Sequence, residues 1–179
     1  TVKTMLVLPI RRWQWATAKL AFLVLFACGL LLLLTALALV VVMATIGLGD
    51  VVREDVVLYP AAEVWQNVLL SSGLTMVFLL PVCAFAMLIG LYFTSSGAAV
   101  GVSLLFGIVI EAVVGLAGYG KYVFLYHLFR PYQQLQKLGK GLPFQWDDLL
   151  TWGLGATLVS FAVFALWGIV RLERMDITS

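Results

Sequence analysis

The chain has 179 residues, 63% of them hydrophobic and only 11% charged, with a mean hydropathy of +1.08. A soluble domain carries roughly 45–50% apolar and about 25% charged residues, so the charges here are too few to cover a globule in water. This excludes a soluble enzyme, a nucleic-acid module and a secreted disulfide scaffold, and a net charge of +2 implies no polyanionic partner.

The charges divide the chain. None occurs from Leu20 to Gly49, from Val64 to Ile110 or from Leu149 to Val170, runs of 30, 47 and 22 residues. A bilayer core of about 30 Å takes roughly 20 helical residues. The first and last runs are therefore one crossing each. The middle run must fold back, and Thr94-Ser95-Ser96-Gly97 supplies the turn chemistry for that break. The expected fold is an all-α, polytopic membrane helix bundle with four crossings near Leu20–Ile46, Val68–Phe93, Ala98–Ala117 and Leu149–Val170. A segment 1–19 precedes them, and a tail 171–179 follows.

Orientation follows from Lys and Arg beside the crossings. Lys3, Arg11, Arg12 and Lys19 stand before the first crossing with no acid among them. The loop Gly47–Glu63 holds Asp50, Glu54, Asp55 and Glu63 against a single Arg53. This places the N-terminal segment and the tail in the cytoplasm. One loop dissents, because Lys121, Arg130, Lys137 and Lys140 then lie outside.

That outer loop, 118–148, is rich in aromatic residues, from Tyr119 to Trp146, and is punctuated by Pro131 and Pro143. Tyr and Trp favour the headgroup level. Two readings stand: short helices over Lys121–Phe129 and Tyr132–Leu138 lying in or dipping into the outer leaflet, or a plain external loop.

Few residues suggest chemistry. Cys28 and Cys83 lie inside apolar runs with no Cys/His cluster, so no metal site is expected. His127 is the only histidine, which excludes a bis-histidine haem, and it reads as an interfacial polar aromatic. Neither a Gly-x-Ser-x-Gly elbow nor a His-Glu-x-x-His pattern is present. Glu111 is the one carboxylate inside an expected crossing. Ionisable groups there face protein or water, which makes it a candidate for the transport path, against a structural polar contact, with Lys121 within reach.

The opening residues carry a resemblance. Thr1, Lys3, Leu6, Pro9, Arg11, Arg12 and Lys19 match the cytoplasmic segment of type-2 permeases of ATP-binding-cassette (ABC) exporters. There a Gly-Thr-Leu-Lys-like stretch, a Leu-x-x-Pro and an Arg-rich turn precede a Lys at the mouth of the third transmembrane helix. The close, from Trp167-Gly168 through Arg171 and Arg174 to Asp176-Ile177, is similar to that family's last helix and tail. Such permeases usually have six crossings, so the first two are expected upstream of Thr1.

The resemblance implies a permease subunit moving an amphipathic or lipid-like substrate across a prokaryotic cell membrane. Lys3, Leu6, Pro9, Arg11 and Arg12 would couple it to a cytoplasmic ATP-binding subunit. A second permease copy or paralogue and membrane lipid are the other implied partners. No cofactor is expected in this chain, since ATP and Mg belong to the partner ATPase and no Gly-x-x-x-x-Gly-Lys-Ser/Thr loop occurs here. A membrane scaffold or assembly subunit is the competing reading. For the segment 1–19, an amphipathic anchor to anionic lipid competes with coupling.

Overall fold

In the computed structural model, residues 12–45, 47, 49–53, 56–118, 120–137 and 140–174 are described. Four helices are long and apolar enough to cross a bilayer: α1 (Arg12–Thr45), α2 (Ala61–Tyr92), α3 (Ser96–Ala117) and the final helix, which begins at Leu149 and ends at Arg174. The chain is a multi-pass membrane protein with an all-α bundle, as its charge gaps require.

α1 is longer than the crossing expected over Leu20–Ile46. Its 34 residues extend ~50 Å, well past a core of about 30 Å. Arg12 to Lys19 is thus continuous with the membrane helix rather than part of a separate segment ending at residue 19. No proline interrupts Arg12–Thr45, so nothing breaks the ladder. Lys19 Nζ sits over the Trp15 ring, 5.0 Å from its centroid, holding a cation and an amphipathic ring together at this end. Lys3, Leu6, Pro9 and Arg11, expected as coupling residues, lie outside the described residues, and Arg12 opens α1.

After α1 the chain forms an antiparallel hairpin, β1 (Val51–Arg53) with β2 (Val56–Tyr59). Sequence periodicity did not announce it, because each strand is shorter than a period-2 pattern needs to stand out. Asp50 Oδ1 then accepts a hydrogen bond from the Ala61 amide at 2.7 Å, capping α2, and Glu63 adds negative charge in its first turn.

α2 is the axis of the bundle and packs most extensively on the last helix, then on α1. Pro81 lies within it, fully buried, and removes one ladder hydrogen bond. α2 ends at Tyr92 and α3 begins at Ser96, which puts the reversal at the expected Thr94–Gly97 break. α3 closes on Gly118 at φ +71°, a left-handed position that a side chain adopts only under strain.

The 118–148 region is no plain loop. A 3₁₀ turn (Gly120–Tyr122) leads into α4 (Phe124–Leu128) and α5 (Arg130–Gln136). The single helix expected over Lys121–Phe129 is split because Val123 is extended, at φ −109° and ψ 124°. α5 starts at Arg130, two residues earlier than expected, because Pro131 occupies the first turn, where its missing amide costs nothing. The final helix opens with a π-helical turn, Leu149–Gly153, and continues as α6 (Leu154–Arg174).

This region and the hairpin cap the same end of the bundle. Tyr59 Oη donates to the Leu142 carbonyl at 2.7 Å, and the Tyr59 and Phe144 rings meet at 5.4 Å. Trp146 Nε1 donates to Asn67 Oδ1 at 2.8 Å. Arg171 lies over Tyr92 at the opposite end, 5.1 Å from the ring centroid. α2 and α6 are therefore parallel, and α3 runs against them with Phe85 stacked on Phe106 at 4.5 Å.

Candidate functional site

The 118–148 region is the most elaborated part of the molecule, and His127 is its centre. Sequence reasoning put this residue at the interface, but it is 1% exposed. The correction follows from α4, which turns Phe124 and His127 inward together. Phe124 meets Phe164 of α6 at 5.6 Å, and His127 lies against Phe78 of α2 at 6.1 Å. Leu74, Phe78 and Leu149 form the cluster beneath, with Leu128, Trp146 and Leu154 around it.

The imidazole makes one hydrogen bond, from Nε2–H to the Lys121 carbonyl at 2.9 Å. An acceptor on that side fixes the tautomer, so Nδ1 carries the lone pair, and it has no partner. Burial pulls the group below its ordinary value of 6.5, and Arg130 adds to this. The Lys121 carbonyl and Asp148 oppose the shift. His127 is a neutral, buried acceptor at neutral pH.

The second half of the region is pinned from within. The Gln134 side chain donates to the Gln145 carbonyl at 2.9 Å and accepts from the Gln145 amide at 3.2 Å. Buried Asn67 answers Trp146 while donating to the Glu63 carbonyl at 2.8 Å. Arg130 reaches the Tyr126 hydroxyl and stacks on its ring at 4.3 Å. Short helices with few backbone bonds of their own are thus held by side-chain to backbone contacts. This keeps irregular backbone satisfied inside protein.

Thr157 is the other unusual buried polar group, fully enclosed with Oγ1 lacking a partner. It lies on α6 one turn beyond Gly153, where the π-helical turn closes. Sequence gave no sign of either His127's burial or this turn. The remaining signal was small: a Gly at 153 in an otherwise bulky helix start.

Clefts open on the surface among the described residues. One, of about 400 Å³, lies between the end of α1, the hairpin and Trp65 of α2, with Asp50 on its wall. Another, of about 300 Å³, lies on α6 beneath Lys121, Tyr122 and Trp152.

Glu111 is in neither. It is exposed on α3, and among the described residues it makes no hydrogen bond or ion pair. The structure does not bring Lys121 to it. No group of three His, Cys, Asp or Glu side chains fit to hold a metal occurs among the described residues.

A family model described as a protein of unknown function (DUF2705) matches residues 1–178, and the chain belongs to that family. Neither a curated protein nor a solved structure gives a significant match.

Proposed function

We propose that this DUF2705 chain is the membrane-spanning permease subunit of an ABC exporter in a prokaryotic cell membrane. It acts with a separate cytoplasmic ATPase and a second permease copy or paralogue. The cargo is amphipathic or lipid-like, and ATP is hydrolysed by the partner. The resemblance of Thr1–Lys19 and of the closing helix to type-2 permeases supplies the class.

The observation that carries the reading is Glu111. It is exposed on a membrane-spanning helix with no partner among the described residues. A carboxylate on such a helix needs protein or water beside it, not lipid. A second permease facing α3, with a path between the two, supplies both. The continuity of Arg12–Lys19 with α1 adds support, since a push on the cytoplasmic end would reach the membrane helix without a joint.

Charge reversal tests it. Arg11→Glu with Arg12→Glu should release a co-purifying ATPase from the membrane fraction, because like charge across an interface is costly. An ATPase that stays bound while lipid affinity falls would make the segment a lipid anchor. Glu111→Gln should lower substrate-stimulated ATP turnover with assembly intact. A native complex with no stoichiometric ATPase would leave the scaffold role as the better account.

A further inference from the structure

The α6 groove is framed by Lys121, Tyr122 and Trp152 at its mouth and floored by Gly155, Ala156, Val159 and Ser160. We propose that it holds one anionic phospholipid of the adjoining leaflet. The phosphate would lie against the Lys121 ammonium and one acyl chain along the α6 floor.

The floor gives the first reason. A glycine inside a helix costs about 1 kcal/mol relative to alanine. At Gly153 that cost has a visible return, because a Cβ would press on His127 and Phe78 at 3.2 Å. At Gly155, two residues on, an added Cβ meets nothing within 4 Å. The same holds at Gly73, Gly90, Gly101 and Gly107, so what sets Gly155 apart is its place in the lining of the groove.

The mouth gives the second. Tyr122 and Trp152 meet edge to face at 5.6 Å and are both exposed. Such rings sit at headgroup level. Val159 lies seven residues further along α6, ~10 Å deeper. The slot therefore runs from the headgroup zone into the hydrocarbon, as a phospholipid does. A volume of about 300 Å³ is at the small end of ligand clefts, enough for part of one acyl chain.

Charge decides between lipid and a neighbouring helix. Lys121 is exposed and has no ion pair among the described residues. From Gly120 to Asp148 the sequence holds Lys121, Arg130, Lys137 and Lys140 against Asp147 and Asp148. An anionic headgroup answers that excess, whereas an apolar helix would leave the lysine uncompensated. His127 fixes the geometry by holding the Lys121 carbonyl.

The inference does not depend on the transport reading, and its test involves no ATPase. The purified full chain, exchanged into detergent with equal phosphatidylglycerol and phosphatidylcholine, is examined by native mass spectrometry. The wild type should retain one phosphatidylglycerol. Lys121→Gln should cut the preference for it about fivefold, the worth of one lysine near an anionic surface. Gly155→Leu, whose Cβ meets nothing within 4 Å, should fill the floor and abolish retention at an unchanged unfolding temperature. If the leucine disturbs the bundle, Lys121→Gln on its surface turn still decides. Retention of phosphatidylglycerol by Gly155→Leu at the wild-type level would overturn the proposal. So would its displacement by inorganic phosphate, or conversion of a dimer to a monomer with lipid unchanged.

Discussion

The backbone of Gly153 lies so close to the His127 imidazole that a Cβ there would stand 3.2 Å from Nδ1. The same atom would be 3.2 Å from Cζ of Phe78. One glycine therefore lets the short α4, the central α2 and the start of the last helix meet at a point. The π-helical turn ends on this residue.

Gly153→Ala should destabilise the protein by about 1–3 kcal/mol, because rigid rings on two elements must both give way. Gain in helix propensity, about 1 kcal/mol, offsets only part of this. Gly155→Ala, in open space, should be neutral or stabilising. Thermal unfolding in detergent compares the two, and equal midpoints would show that the Gly153 contact does not matter.

His127 sets a pH dependence. Its folded value lies below 6.5, so the unfolded chain takes up the proton first as pH falls. Stability is complete above 6.5 and declines below it until the folded group also titrates. His127→Gln should flatten that acid limb of the unfolding profile. An unchanged limb would assign the acid sensitivity to carboxylates instead.

Thr157→Val keeps the shape of a fully buried side chain and removes a hydroxyl with no partner. Stability should rise by about 1 kcal/mol, since the unmet desolvation cost of that group disappears. A fall of similar size would mean that an internal water satisfies Oγ1.

Topology is testable by labelling. In a background with Cys28→Ala and Cys83→Ala, cysteines replacing Val57 and Lys140 should react alike with an impermeant reagent added to intact cells. A cysteine replacing Arg174 should react only after permeabilisation. Val57 and Lys140 are exposed, and Tyr59 and Leu142 join their segments at one end of the bundle. Opposite reactivity at Val57 and Lys140 would break the four-crossing arrangement.

The number of crossings, the α2–α3 break and the helical class were legible in the sequence because they depend on where charge is absent. Moving one lysine into hydrocarbon costs so much that gaps in charge map directly onto spans. Helix ends were less legible. α1 and α2 extend past their apolar runs because a helix leaves the bilayer without unwinding when no proline or glycine stops it.

The burial of His127 was not legible, nor was the isolation of Glu111. Both reverse the usual expectation for their residue types: the histidine is inside and the carboxylate outside. What decides each is which neighbours arrive from far along the chain. Phe78 and Gly153 close around His127 from two other helices, and among the described residues none bonds Glu111. Hydropathy is a property of each segment alone, so the sequence by itself determined the membrane helices. The enclosure of a side chain is a property of several segments at once, so only the tertiary structure decided where the polar groups lie.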